Sequence, residues 1–160
     1  MAQEAYKKAP EGLDKRGRLG FPLAEEKRMT TEHPAMAASK ASWSAVQRKA
    51  KQEWLALFAE DACIEDPIGV SPLDPEGKGQ RGKEAIEKFW DANIAPNTIE
   101  IDMKHSYAAG AEAAHLGTLT TTFPNGSKVI VEGIFTYKLT DEGKLSSLRG
   151  YWDLKDAKFE

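Results

Sequence analysis

The sequence is poor in the features that mark several large protein classes. Its 160 residues include a single cysteine, Cys63, which excludes an intramolecular disulfide. Apolar runs are only a few residues long, so no segment predicts a membrane-spanning helix. The first 30 residues also lack an apolar block of signal-peptide length. These absences predict a cytoplasmic protein that does not bind membranes.

Neither sign of charge dominates the chain. The 22 basic and 25 acidic side chains give a net charge of −3, which lacks the basic footprint expected of a nucleic-acid-binding protein. Apolar residues make up 41% and charged residues 29%, a balance typical of a globular domain. The length predicts one domain with a short arm.

The composition changes near residue 37. Residues 1–37 are rich in charges of both signs, proline and glycine and show no sustained periodicity, which predicts an N-terminal arm that is flexible or lies over the domain. Residues 38–156 are expected to form the folded domain. A helical stripe starts near Ala38 and recurs at spacings of three and four. Its members are Trp43, Val46, Ala50, Trp54, Leu57 and Phe58.

The chain then changes from helical to extended patterning. A brief strand is predicted over residues 62–66, a loop over 68–82 and a second helix from Lys83 to about Asn93. From Ile99 onwards apolar and polar residues alternate in four segments separated by turns, which predicts antiparallel strands. Asn125-Gly126 favours a type I′ hairpin turn. The fold class is therefore α+β, with helices packed on one face of an antiparallel sheet.

Asp66 is the residue with the most informative position. It shares one side of its predicted strand with Ile64, so both side chains should face the core. A carboxylate in an apolar interior is costly unless it is paired or used, and burial would raise its pKa to a value suited to a general base. The alternative is that Asp66 caps the turn that follows it.

The segment around Asp66 resembles a known family. Residues 57–69 (LFAEDACIEDPIG), 81–86 (RGKEAI) and 89–90 (FW) are similar to the ketosteroid isomerase branch of the NTF2-like (SnoaL-like) superfamily. The resemblance covers about Ala41 to Trp152. It implies a cone in which a curved antiparallel sheet encloses helices and an apolar pocket, and it implies a homodimer formed through the outer sheet face.

The resemblance also implies a catalytic role for Asp66. In those isomerases the matching aspartate moves a proton beside a steroid carbonyl, while a tyrosine and a neutral aspartate stabilise the oxyanion. Neither donor residue is present at the matching position of this chain. Ser42-Trp43 stands in the tyrosine's region, and Phe135 takes the place of the neutral aspartate. Tyr137, Trp152 and Trp43 are candidate substitutes.

The predicted function is that of a steroid delta-isomerase-like enzyme with Asp66 as its base and no cofactor. The predicted ligand is an apolar, steroid-like small molecule. Six residues are expected to bind it, although each has an alternative role in the core: Trp43, Trp90, His115, Phe135, Tyr137 and Trp152. His105 and His115 are expected to face each other on paired strands. A metal site would need a third ligand at a suitable spacing, and the sequence shows none.

Two other interpretations remain open from the sequence, and a third is not supported by its surroundings. The first is a non-catalytic NTF2-like binding or accessory protein, which the missing donors favour. The second is a hydrolase or cyclase, for which the resemblance implies a second acid and an arginine in the pocket. The third is nucleotide binding by Gly77-Lys78-Gly79-Gln80-Arg81-Gly82, but these glycines follow a loop and no βαβ unit surrounds them.

Overall fold

The computed structural model describes residues 32–160. Helix α1 spans Pro34–Gln47, so residues 34–37, which the sequence placed in the arm, are already helical. Proline suits the first helical position, and His33 Nδ1 accepts a hydrogen bond from the Ala35 amide at 3.2 Å. Residues 1–31 of the predicted arm lie outside the described residues. At the other end, the pairing of the sheet continues to Phe159, beyond the predicted limit at residue 156.

The helical stripe is not one continuous helix. After α1 the chain breaks at Arg48–Ala50 and resumes as α2, Lys51–Ala56. Lys49 has a φ of 60°, a left-handed conformation that costs free energy in a non-glycine residue. Its ammonium compensates by donating to the carbonyl oxygens of Ile94 and Asn97. The stripe therefore ends before Phe58, which begins the first strand.

The strands form one sheet. Its members are β1 (Phe58–Glu65), β2 (Gln80–Arg81), β3 (Thr98–Ala109), β4 (Glu112–Thr122), β5 (Lys128–Leu139), β6 (Leu145–Tyr151) and β7 (Lys158–Phe159). The order is β2-β1-β6-β5-β4-β3, and β7 pairs antiparallel with the first residues of β5. The predicted antiparallel meander is confirmed as β3 to β6. The parallel pairing of β1 with β6 was not predicted, and it brings the end of β1 beside Arg149.

The second helical region packs against β1 and β2. Helix α3 spans Lys83–Phe89 and continues into a π-helical turn, Trp90–Ile94. Its predicted extent to about Asn93 is thus correct, but its last turn is wider than an α-helix. A π-helical turn is rare and is often found beside a functional site.

A bulge in β3 overturns part of the predicted pattern. Met103 pairs with Gly117, but His105 pairs with Leu116, so one extra residue is inserted between them. Because side chains alternate along a strand, this insertion reverses the faces that follow it. His105, which was predicted to face His115, is exposed and pairs with Leu116 instead, and Tyr107 is exposed as well.

The β4–β5 hairpin also differs from its prediction. A type I′ turn needs positive φ at both central residues, but Gly126 (φ 87°) is the only residue of the Pro124–Gly126 turn with a positive φ. The Gly126 amide donates to the carbonyl of Phe123 at 2.9 Å. Pro124 fixes its own φ near about −65°, so the chain forms a three-residue connection with glycine in the left-handed position.

Candidate active site

The concave face of the sheet and the helices enclose a cavity of about 340 Å³. This volume lies in the range of roughly 300–1,000 Å³ that is usual for small-molecule sites. Apolar side chains form most of the wall, among them Val46, Phe89, Ile99, Ile101, Met103, Leu119, Val129, Val131, Phe135 and Leu148. The few polar groups are Ser42, Trp43, Asp66, Ser71, Asn93, Asn97, Thr121, Tyr137 and Trp152.

The cavity has a deep end and an end near the surface. Phe135 and Tyr137 are buried, as expected for the floor of a pocket. Leu73, Phe123 and Phe159 also line the cavity but are exposed, and Phe159 is 67% exposed. The cavity wall therefore meets the protein surface at these three side chains.

Asp66 lies in the wall of this cavity, directly after the end of β1. Its Oδ1 accepts a 2.6 Å hydrogen bond from the Trp152 indole N–H. Gly150 makes room for the carboxylate, since a Cβ at that position would lie 2.1 Å from Asp66 Oδ1. Within residues 32–160 the carboxylate has no backbone N–H partner, so the geometry does not match the alternative role as a turn cap.

The environment of Asp66 changes its acidity. Burial disfavours the charged carboxylate and raises the pKa of Asp66 to about 6, while the hydrogen bond from Trp152 acts in the opposite direction. A carboxyl group with a pKa near 6 is ionised at neutral pH and still has substantial affinity for a proton. These are the properties required of a general base that later returns the proton.

Tyr137 presents a hydroxyl group to the same cavity. Its Oη accepts a 2.9 Å hydrogen bond from the Trp43 indole, and an indole N–H can only donate. The phenol proton is therefore not used in this bond. Ser42 is a second hydrogen-bond partner of Tyr137, and it lowers the pKa of Tyr137 as a donor does, which leaves the phenol proton for an acceptor in the cavity. Burial strongly raises the pKa of Tyr137, and the negative charge of Asp66 adds to this, so the phenol stays protonated.

Ser42 and Trp43 occupy the region where the resemblance places the isomerases' tyrosine, and Ser42 is also hydrogen-bonded. Ser42 is buried, and its Oγ accepts a 3.0 Å hydrogen bond from the Trp54 indole. Phe135, which stands in the place of the neutral aspartate, is buried in the wall and offers no donor. Tyr137 is thus positioned better than Trp43 or Trp152 to replace the missing donors, because both indole N–H groups are already engaged.

His115 does not line the cavity, which corrects its predicted contact with a ligand. It is fully buried behind the pocket, and its ring centroid lies 4.6 Å from that of Trp43 and 5.6 Å from that of Tyr137. Its Nδ1 lies 2.8 Å from Ser106 Oγ, and its Nε2 has no hydrogen-bond partner within residues 32–160. Burial, with a smaller effect from Lys40, lowers the pKa of His115 to about 4.

Trp90 is a second correction. It is buried in the core, with its ring centroid 5.1 Å from that of Trp54, and it is not part of the cavity wall. The widened turn that begins at Trp90 instead places Asn93 in the wall. The other four residues predicted to bind a ligand, Trp43, Phe135, Tyr137 and Trp152, all line the cavity.

Two groups that bear on the alternative interpretations, an arginine and the glycine-rich loop, lie outside the cavity. Arg149 Nε donates to Glu65 Oε2 at 2.7 Å, and neither residue belongs to the wall. In the glycine-rich loop, the Asp74 carboxylate accepts hydrogen bonds from the amides of Gly77 (3.0 Å) and Gly79 (2.6 Å). That loop is therefore organised around an internal carboxylate, which would repel a phosphate.

Among residues 32–160, no cluster of three histidine, cysteine, aspartate or glutamate side chains is arranged to hold a metal ion. Within the same range, no helix has the length and apolar character required to cross a membrane.

Comparison with known proteins identifies relatives of this fold. The chain is 30% identical over 97 residues to a steroid delta-isomerase of Nocardioides simplex, covering 61% of this chain and 72% of the relative. A crystal structure of a Δ5-3-ketosteroid isomerase from Mycobacterium sp. is 42% identical, with a TM-score of 0.77 over 79% of this chain and 98% of that one.

A third relative has been solved with a ligand. RV0760c from Mycobacterium tuberculosis, in complex with estradiol-17β-hemisuccinate, is 40% identical with a TM-score of 0.76, covering 79% of this chain and 98% of that one. The model of the SnoaL-like domain family matches residues 40–148. These similarities support the ketosteroid isomerase-like branch and the cone fold, and the chain belongs to the SnoaL-like domain family.

Proposed function

We propose that this protein isomerises the carbon–carbon double bond of an apolar, steroid-like ketone, with Asp66 as the proton-transferring base. The observation that carries the proposal is the Asp66 carboxylate, which lies in an apolar cavity with its pKa raised and one oxygen held by Trp152. The named activities of two relatives and the steroid bound by a third support the class of substrate.

The reaction is balanced within the substrate itself. Asp66 removes a proton from the carbon between the carbonyl and the double bond of a 5-ene-3-ketosteroid. The electron pair of that C–H bond forms a dienolate, and negative charge develops on the carbonyl oxygen. The Asp66 carboxyl then returns the proton to the far carbon of the former double bond, which gives the conjugated 4-ene-3-ketone. No oxidant, reductant or cofactor is needed.

The hydrogen bonding of Asp66 assigns different tasks to its two oxygens. Oδ1 accepts from Trp152, whereas Oδ2 has no partner among the described residues. Oδ2 is therefore the atom that takes the substrate proton. The hydrogen bond from Trp152 restrains Oδ1 and leaves Oδ2 unbonded among the described residues.

Tyr137 is the proposed donor to the developing oxyanion. The hydrogen bond from Trp43 fixes the phenol oxygen and leaves the phenol proton available to the substrate carbonyl. A donor of this type typically contributes roughly 3–4 kcal/mol of transition-state stabilisation. Because Phe135 cannot supply a second donor, we expect turnover to be slower than in an isomerase with two donors.

The direct test is turnover of 5-androstene-3,17-dione, followed by the absorbance of the conjugated product. Asp66→Asn keeps the size of the side chain but removes the base, and we expect a loss of about 10²–10⁴-fold in kcat. Glu65→Gln is the matched control, since it is the adjacent carboxylate and lies outside the cavity. Wild-type turnover in Asp66→Asn would rule out Asp66 as the base.

A binding protein without catalysis is the second candidate function. The observation that favours it is Phe135, which stands in the deep wall where the resemblance implies a neutral aspartate. The test is fluorescence titration with equilenin, a naphthol steroid, beside the turnover assay. Tight binding of equilenin without turnover by the wild-type protein would select this candidate.

We also propose that the protein is a homodimer. Leu116, Ile134 and Tyr151 are exposed and paired across β4, β5 and β6, so they form an apolar row on the outer face of the sheet. Analytical ultracentrifugation of the wild type and Ile134→Lys tests this. We expect a dimer and a monomer respectively, and a monomeric wild type would contradict the proposal.

A further inference from the structure

The cavity contains a second group of polar side chains, away from Asp66. Asn93 lies in the π-helical turn, and Asn97 follows it by four residues, just before β3. Both side chains line the cavity. Asn97 is only 8% exposed as a residue. The proposed proton transfer at Asp66 and Tyr137 does not use either asparagine.

Hydrogen bonding fixes the orientation of both amides. Asn93 Nδ2 donates to the Phe89 carbonyl oxygen at 3.2 Å, and Asn97 Nδ2 donates to the Asn93 carbonyl oxygen at 2.9 Å. Each NH₂ group is thus bonded to the backbone one turn earlier. Among the described residues, the side-chain oxygens of Asn93 and Asn97 have no donor. They are therefore left as acceptors for a group inside the cavity.

The backbone that carries these amides is itself held in place. The Lys49 ammonium donates to the carbonyl oxygens of Ile94 and Asn97, and Lys49 adopts its left-handed conformation at that contact. The pair of asparagines is therefore a preorganised feature of the wall. Turning either amide to present its NH₂ group would break the hydrogen bond to the backbone.

The register of the sheet places the two polar groups apart along the cavity. Asn97 lies two residues before Ile99, whose rung continues through Thr121 to Val129. Asp66 lies against Gly150, which pairs with Phe135. Val129 and Phe135 are separated by six residues of β5, or roughly 20 Å measured along the curved strand. A long, flat ligand with its carbonyl near Tyr137 would direct its opposite end towards the asparagines.

We propose that Asn93 and Asn97 form an acceptor subsite for a hydroxyl group at the end of the ligand remote from the reacting carbonyl. The preferred ligands are then hydroxyketones rather than diketones. A hydroxyl donates its one proton to one of the free amide oxygens, whereas a second ketone brings another acceptor against them and donates to neither. This inference rests on the proposed function, because the reacting end of the ligand is placed at Asp66 and Tyr137.

The test compares two product-like ligands by isothermal titration calorimetry. Testosterone carries a 17β-hydroxyl and androstenedione a 17-ketone, and they are otherwise identical. One hydrogen bond predicts that the wild type binds testosterone about five- to tenfold more tightly. Asn97→Leu should reduce this preference to less than about twofold. Asn93→Leu, at a half-buried position, provides the same comparison if Asn97→Leu does not fold.

Gln52→Leu is the matched control, since it replaces an exposed amide on α2 by the same side chain, and it should keep the wild-type preference. If the preference for testosterone survives both asparagine substitutions, the inference is overturned. It is also overturned if the preference is lost only in Thr121→Val, since Thr121 is another polar residue of the cavity wall. Equal affinities in the wild type also overturn it. If the protein prefers testosterone but does not isomerise 5-androstene-3,17-dione, only the proposed isomerisation is contradicted. If neither steroid binds, both proposals are contradicted.

Discussion

The indole of Trp152 donates to Oδ1 of Asp66 at 2.6 Å, although the two residues are 86 positions apart in the chain. The parallel pairing of β1 with β6 brings them together, because Asp66 follows β1 and Trp152 follows β6. This bond stabilises the ionised carboxylate while burial disfavours it. The acidity of the proposed base is therefore set by the balance of these two effects.

Trp152→Phe tests that balance. The substitution removes the N–H donor but keeps an aromatic ring against the cavity, so the pKa of Asp66 should rise above its wild-type value of about 6. The acid limb of the kcat/KM profile should move to higher pH by the same amount. An unchanged limb would show that Trp152 does not control the ionisation of Asp66.

Gly150→Ala tests the space around the carboxylate. A Cβ at position 150 would lie 2.1 Å from Asp66 Oδ1 and 2.8 Å from Trp152 Nε1, so the hydrogen bond must shift or break. We expect kcat for isomerisation to fall at least tenfold, while the protein still unfolds cooperatively on heating. The control is Gly143→Ala in the β5–β6 turn, where the new Cβ meets no neighbour, although its φ of 78° makes the substitution strained. That variant should lose stability but keep its activity.

Asp66→Asn is expected to stabilise the protein at neutral and alkaline pH. The pKa of Asp66 is about 6 in the folded state against an ordinary 3.8, so the folded state binds the proton more tightly. The wild type therefore loses stability as the pH rises from about 4 to above 6, by about 2–3 kcal/mol in total. Urea unfolding should show Asp66→Asn to be more stable at pH 8 and nearly equal near pH 4. A less stable variant at pH 8 would contradict the burial of a charged group.

His115 should give the opposite dependence. Its pKa is about 4 in the folded state against an ordinary 6.5, so the unfolded chain takes up a proton first as the pH falls. The folded state then loses about 2–3 kcal/mol as the pH falls from about 6.5 to 4. His115→Gln, which does not titrate and can still bond to Ser106, should remove this loss in urea unfolding between pH 4 and pH 7. If the free energy of unfolding of His115→Gln depended on pH as in the wild type, the loss of stability would come from a group other than His115.

Tyr137→Phe tests the replacement of the missing oxyanion donors. Removing one donor should lower kcat by about 10²–10³-fold, while KM changes little. Tyr107→Phe is the matched control, because Tyr107 is exposed on the outer face of the sheet. If Tyr137→Phe retained the wild-type kcat, the carbonyl would have to be polarised by another group.

Local patterning predicts the position of Asp66 well. The two-residue period of the strand places Ile64 and Asp66 on the same side, and in the structure Ile64 is buried and Asp66 lines the cavity, although Cys63 on the other side is buried as well. The same alternation along β5 places Phe135 and Tyr137 together in the wall. These features depend on residues that are close in sequence, so the period of the strand is sufficient to predict them.

The remaining features depend on contacts that local patterning does not contain. The bulge after Met103 exposes His105 and Tyr107, because a single inserted residue changes every face that follows it. The hydrogen bond from Trp43 to Tyr137 joins residues 94 positions apart. The acceptor pair in the wall is likewise set by the widened turn after Trp90, which the helical period alone does not predict.

The pH dependence of kcat/KM for 5-androstene-3,17-dione, measured with wild type and Asp66→Asn, tests the role of Asp66 most directly. We expect the wild-type value to rise with pH, pass a midpoint near the Asp66 pKa of about 6 and reach a plateau. Asp66→Asn should show little turnover at any pH. Wild-type turnover that does not change between pH 4 and pH 8, or an Asp66→Asn variant that retains it, would contradict the account.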